Sequence, residues 1–362
     1  MNKLLLALLL FLLSFSWIKV TASDSCPESF PWKAQWINTE RCQSATNTWL
    51  IYRKSFAVTN VPNQLIARIA ADSKYWLWIN DQLVIFEGGL KRGPSPSGTY
   101  YDPVDIAPYL TKGSNTIAIL LWHFGKDGFS HINSGKAALL FEAIAPGLEI
   151  VSDASWQCAL YEAYQNTEAP FPNYRMPESN IRFDARQAIT NWNRTSFEGS
   201  LPGAVCVGKA GKAPFGDLVE RPIPQWKNSG LLSYVSVRES LRGDTLFCRL
   251  PYNAQITPYL KVEAEAGKTI HIRMDNYEGG SERNVRAEYI TREGEQEYES
   301  YGWMNGHEVY YIIPEGVKVL DVKYRETGYN TDLAGSFHCD DPFYDELWQR
   351  SARTLYLSLI HI

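Results

Sequence analysis

"KYWLWINDQLVIF" occupies residues 74–86. Two runs of aromatic and β-branched residues flank Asn80-Asp81, so the stretch predicts a β-hairpin. On its N-terminal side, "LIARIAAD" (65–72) alternates Leu65, Ala67 and Ile69 with their neighbours. On its C-terminal side, "NTIAILLWHF" (115–124) and "KAALLFEAIA" (136–145) read as further buried strands. Short strands broken by Gly, Pro, Asn and Asp, with no helical period, indicate an antiparallel sandwich.

The stretch 152–232 is looser and rich in Pro, Gly and Asn, as in "FPNYRMPESN" (171–180) and "KAGKAPFGDLVERPIPQ" (209–225). It reads as the close of the first domain followed by a linker. Alternation resumes in "YLKVEAEAGKTIHIRM" (259–274), "EYITREGEQEYES" (288–300), "HEVYYIIP" (307–314) and "VKVLDVKYRE" (317–326), which predicts a second sandwich. The expected boundaries are 23–195 for the first sandwich, 196–232 for the linker and 233–338 for the second. In "DDPFYDELWQRSARTLYLSLIHI" (340–362), Asp341 suits an N-cap and Pro342 the first helical position. Tyr344, Leu347, Trp348 and Leu355 then come at helical spacing. Such a helix must bury its stripe against a partner.

Composition narrows the function. Among 362 residues, 45% are hydrophobic and 13% aromatic, enough for sizeable cores and against disorder. A formal net charge of -5 offers no basic surface for phosphates, which argues against nucleic acid as a partner. Twelve Trp and 21 Tyr suit sandwich cores and sugar-stacking surfaces alike. The N-terminus "MNKLLLALLLFLLSFSWIKVTASDS" has Lys3, a short apolar core and small residues around Ala22. It reads as a secretory signal peptide over 1–22, giving an exported periplasmic or extracellular protein with no membrane segment after cleavage. Of the six cysteines, none forms a CxxC pair, so no zinc site, metal or cofactor is expected. Cys26 and Cys42 are the candidate disulfide. Cys158, Cys206, Cys248 and Cys339 are open between bridges and buried thiols. Asn193-Arg194-Thr195 fits the glycosylation pattern, which matters only in a eukaryotic secretory host.

Taken in order, "YWLWINDQLVIFEGG" (75–89), "YYDPVDIAPYLTKGSNTIAILLWHFGKDGFSHINSGKAALLFE" (100–142), "RFDAR" (182–186), "ERPIP" (220–224) and the stretch from "YGWMNGHEVYY" (301–311) to "DDPFYDELWQRSARTL" (340–355) resemble the N-terminal, non-catalytic half of bacterial α-L-rhamnosidase-like glycoside hydrolases. The resemblance implies an all-β fold of two antiparallel, jelly-roll-like β-sandwich domains, followed at 339–356 by the first helix of a missing (α/α)6 barrel. It also implies a rhamnose-containing glycan or polysaccharide as partner. An inverting carboxylate pair would lie in that barrel, so no catalytic residue is expected here. The six residues 357–362, "LSLIHI", spell the translation of a transposase adaptor, CTGTCTCTTATACACATC, used in sequencing libraries. The natural sequence is therefore expected to diverge after Tyr356.

Within the chain itself, "WHFGKDGFSH" (122–131) is the most site-like stretch. One reading is a carbohydrate platform: Trp122 stacks on a pyranose while His123, Asp127 and His131 bind hydroxyls. The favoured alternative has Trp122 ending a buried strand and the loop packing the sandwich or contacting the barrel. "GGLKRGPSP" (88–96) and "YEGGSERNVRAE" (277–288) are Gly-bearing loops with no following helix to hold phosphate. Glu295, Glu297 and Glu299 share one strand face, which predicts a solvated surface rather than a catalytic pair. Asp340-Asp341 read as a helix cap. A free-standing carbohydrate-binding or surface-interaction protein is the competing function.

Overall fold

Every residue of Lys74–Ile79 and most of Gly113–His123 are buried, so these strands have no solvent face. The structure, a computed structural model, describes residues 31–89, 98–128, 131–172, 176, 178–276, 285–328 and 330–357. The signal peptide, Cys26 and the adaptor-like residues 358–362 lie outside them, as do parts of the two Gly-bearing loops.

Among the described residues, the strands fall into a seven-, a five- and a nine-stranded sheet. The five-stranded sheet runs Gln157–Leu160, Thr48–Val58, Gly113–His123, Lys74–Ile79, Gln82–Gly89. Its last two strands are the expected hairpin, antiparallel from Ile79 opposite Gln82 to Lys74 opposite Gly89. The turn residues Asn80 and Asp81 take φ of 47° and 70°, the left-handed angles that Asn and Asp tolerate best.

Period-two alternation deals this sheet's side chains into two cores. Leu50, Tyr52, Tyr75, Leu77, Ile119 and Leu121 pack with Ile37, Ile69, Leu139 and Phe141 of the seven-stranded sheet. Trp49, Ile51, Trp76, Trp78, Leu120 and Trp122 pack on the opposite side with Ile256, Tyr289, Tyr298 and Tyr311 of the nine-stranded sheet. The middle sheet is therefore shared, which explains the unbroken apolar runs.

In the nine-stranded sheet, the 20-residue strand Thr245–Ala264 is the spine. It pairs with Met304–Ile312 along its first half and with Gly294–Glu299 along its last six residues. On its other side Ser236–Glu239 gives way to Val317–Glu326. The register shifts between Arg249 and Ala254, around Pro251, which cannot donate to the ladder.

Two segments lie differently from the sequence expectation. The stretch 196–232, read as a linker, contributes Val205–Lys209 and Leu218–Glu220 to the seven-stranded sheet. Conversely, Tyr164–Asn166 and Ile181–Asp184 join the nine-stranded sheet, the latter parallel to Arg286–Ile290. Strands of three to five residues among Pro and Gly are too short to show alternation, and their partners are remote in sequence. The terminal helix is Pro342–Leu357, and Asp341 caps it by accepting the Phe343 N–H at 3.0 Å. No described helix is long and apolar enough to cross a membrane.

A shared sheet couples the two cores. Phe183 packs against Tyr164, Tyr289 and Tyr298 in the core between the middle and nine-stranded sheets. Phe183→Ala is expected to cost roughly 3–5 kcal/mol and to shift one cooperative urea transition. Two separate transitions, only one of them displaced, would show that the sheets unfold independently.

Candidate functional site

The loop 122–131 divides between interior and surface. Trp122 ends its strand fully buried, stacked on Trp49 at 4.6 Å, and Trp49 stacks in turn on Tyr164 at 3.9 Å. Both indole N–H groups donate to one acceptor, Asn47 Oδ1, at 2.9 Å from Trp49 and 2.8 Å from Trp122. Asn47 holds a left-handed φ of 59°, and its amide donates to Asn166 Oδ1 at 3.0 Å. With its ring face covered, Trp122 has no surface to offer a sugar.

His123 and His131 are equally buried, and both face Asp72. His123 Nδ1 lies 3.1 Å from Asp72 Oδ1, and the Ser73 hydroxyl donates to the same oxygen at 2.8 Å. His131 Nε2 lies 3.3 Å from Ser73 Oγ, and the Ser134 N–H donates to Asp72 Oδ2 at 3.0 Å. Serine, histidine and aspartate thus meet, but Ser73 bonds the carboxylate directly and the group is sealed from solvent. Its effect is to fasten both ends of the loop to the strand ending at Asp72. Burial pushes the Asp72 carboxyl up, yet the His123 bond and charge, His131 and the Ser134 N–H outweigh it and hold the pKa below the ordinary value. Asp127 alone of the four predicted residues is exposed, and it accepts the Asn133 N–H at 2.8 Å. The platform reading therefore does not fit Trp122, His123 and His131, because each side chain is spent inside the fold.

A second buried group escapes the sequence reading. Lys74 is fully buried between Glu87, with which it forms a short ion pair, and Glu178 at 3.5 Å. Its ammonium sits 5.1 Å from the ring centre of Trp303, so it ties the hairpin to the nine-stranded sheet. Burial raises the Glu87 pKa despite the lysine. The signal available was a charged residue, Lys74, inside an otherwise apolar strand.

Carboxylates elsewhere are matched to cations. Glu295 and Glu297 lie on a solvated face at 2.7 and 3.7 Å from Lys261, while Arg325 clamps Glu299 at 2.7 and 3.0 Å. A cleft of about 420 Å³ beside Arg182 and Arg286 is likewise internally satisfied. There Arg182 bonds Glu288 at 2.7 Å, and Arg286 donates to the Glu168 and Pro170 carbonyls. Cys158 and Cys248 are buried free thiols, and Cys206 is an exposed one.

Two clefts remain open. One, of about 490 Å³, lies between the terminal helix and the nine-stranded sheet, lined by Tyr252, Trp348 and Arg353 among others. The other, of about 420 Å³, borders the loop at Lys126 and includes Asn166 and Phe171.

No protein-family model and no curated protein matches this chain. Solved structures do match. A GH78-family rhamnosidase of Bacillus sp. GL1 superposes with a TM-score of 0.79 at 17% identity, covering 91% of this chain and 58% of that one. The α-L-rhamnosidase of Dictyoglumus thermophilum gives 0.67 at 20% identity, covering 91% and 39%. That of Aspergillus terreus gives 0.66 at 19%, covering 87% and 38%. The chain therefore has the fold of part of these enzymes and spans less than two thirds of their length.

Two measurements check the buried groups. Asn47→Ala strands two indole donors at about 1–3 kcal/mol each, so urea unfolding is expected to lose roughly 2–5 kcal/mol. Asp72 binds fewer protons folded than unfolded. Its contribution is complete above about pH 4 and is lost as pH falls through its lowered folded pKa. Asp72→Asn should therefore flatten the fall of melting temperature below that pH, and an unchanged slope would refute the assignment.

Proposed function

We propose that this chain is the accessory β-sandwich region of an exported α-L-rhamnosidase-like glycoside hydrolase that acts on rhamnose-containing glycans. Catalysis belongs to a helical domain of the same polypeptide, seated on the helix Pro342–Leu357, and the present chain is inactive alone. The terminal helix carries this reading. One side, with Ala352, Arg353 and Tyr356, lies on the nine-stranded sheet. Arg353 bonds Glu326 at 2.7 Å and lies 3.6 Å from the Tyr252 ring centre. The rest of its apolar surface is open, with Phe343 at 62% exposure and Leu355 at 65%. An apolar face of that kind needs a partner.

The carboxylates support the same reading. Glycoside hydrolysis needs two carboxyls flanking a bound sugar, about 5 to 9.5 Å apart. Here Asp72, Glu87, Asp102, Glu142, Glu288 and Glu299 each face a histidine, lysine or arginine within the fold. They act as structural counter-ions. A free-standing binding protein would have no use for the open helix face.

The test is to read the natural gene without transposase fragmentation and to express two proteins, one of 362 residues and one carrying the gene's own C-terminal extension. The extended protein is expected to hydrolyse p-nitrophenyl α-L-rhamnopyranoside with inversion at the anomeric carbon, while the shorter chain releases no nitrophenol. A native stop at the same codon, or an extended protein without rhamnosidase activity, would overturn the proposal.

A further inference from the structure

The cleft beside Lys126 holds polar groups that have no work inside the protein. Gly125 sets its edge: at φ +69°, a Cβ there would lie 2.6 Å from Thr46 Cα, so only glycine lets the loop lie flat on Thr46. The next residue, Lys126, is half-buried at the cleft wall. It makes no hydrogen bond or ion pair with any described residue. Burial lowers its pKa, opposed by the charge of Glu178, which is itself engaged by Lys74.

Thr167 lines the same cleft at 4% exposure, and its hydroxyl has no hydrogen-bond partner among the described residues. Its oxygen is sealed behind the cleft wall, so Thr167 shapes the cleft without reaching a ligand. Asn166 spends its carbonyl oxygen on Asn47 and keeps its NH2 group unbonded among the described residues. Phe171 stands at the rim with 64% of its surface exposed. The cleft thus offers an aromatic face, an ammonium and an amide NH2.

We propose that this cleft binds an acidic saccharide, a pyranose carrying a carboxylate. Phe171 covers the C–H face of the ring, Lys126 pairs with the carboxylate, and the Asn166 NH2 group donates to a hydroxyl. A single lysine matches a monoanion, whereas a phosphate dianion is usually met by arginine or by clustered backbone N–H groups. The apolar rim requires a ring rather than a small free anion. The assignment rests on the reading of the chain as part of a glycan-directed enzyme, and it gives that reading a second sugar class besides rhamnose.

Isothermal titration of the whole chain with α-1,4-linked tri-galacturonate tests it, with the methyl-esterified trimer and L-rhamnose as comparison ligands. The acid trimer is expected to bind, and esterification or Lys126→Met to weaken it about tenfold or more. Phe171→Ala should weaken both trimers alike, while Lys126→Arg retains binding. Both residues are partly exposed, so unchanged melting temperatures show that the variants are folded. No heat with the acid trimer, or equal binding by Lys126→Met, overturns the assignment; equal affinity for acid and ester removes the carboxylate. Binding is read without catalysis, so this inference can fail while the rhamnosidase reading stands, and the reverse.

Discussion

The architecture depends on a five-stranded sheet that has no wet face. Once Trp49, Trp76 and Trp122 point one way and Leu50, Tyr75 and Leu121 the other, both sides need a cover. The seven-stranded sheet supplies one and the nine-stranded sheet the other. Neither cover is optional, because leaving either Trp- or Leu-rich face in water forfeits roughly 25 cal/mol for each Å² of apolar surface. This explains why short strands are borrowed across the expected domain boundary. Tyr164–Asn166 and Ile181–Asp184 bring Tyr164, Ile181 and Phe183 into the interior between the middle and nine-stranded sheets.

A dry centre makes polar groups expensive, and the fold answers by concentrating them. Asn47 serves two indoles and one amide. Asp72 gathers His123, Ser73 and Ser134, and Lys74 stands between two glutamates. Each set joins elements that the backbone ladders leave separate: the loop 122–131 to the strand ending at Asp72, the hairpin to the nine-stranded sheet. These groups are structural because each is sealed from solvent and engaged with a neighbour inside the fold. Lys126, which pairs with no described residue, lies where the same loop reaches the surface. Function is best sought in that contrast between spent and unspent polarity.

The likeness to α-L-rhamnosidases is a likeness of fold, over less than two thirds of those chains. What it contributes is context for the terminal helix. That helix is anchored by Arg353 between Glu326 and Tyr252 and presents Phe343 and Leu355 outward. The open helix face on the rim of the packed sheets is the feature on which the proposed function rests.

Much was legible in the sequence by itself. The Asn80-Asp81 hairpin, the unbroken apolar strands, the all-β class and the Asp341 cap all come from local backbone preference and periodicity, which act over a few neighbouring residues. The sequence also singled out the loop 122–131, because glycines beside aromatic and charged residues mark a place where the chain turns at a surface. It could not say which loop residues face out. Trp122, His123 and His131 carry the chemistry of a site yet are consumed by Asn47, Asp72 and Ser73, while Lys126 beside them is not. That division is decided by partners 50 to 80 positions away in the chain, and only tertiary packing brings such residues within hydrogen-bonding distance.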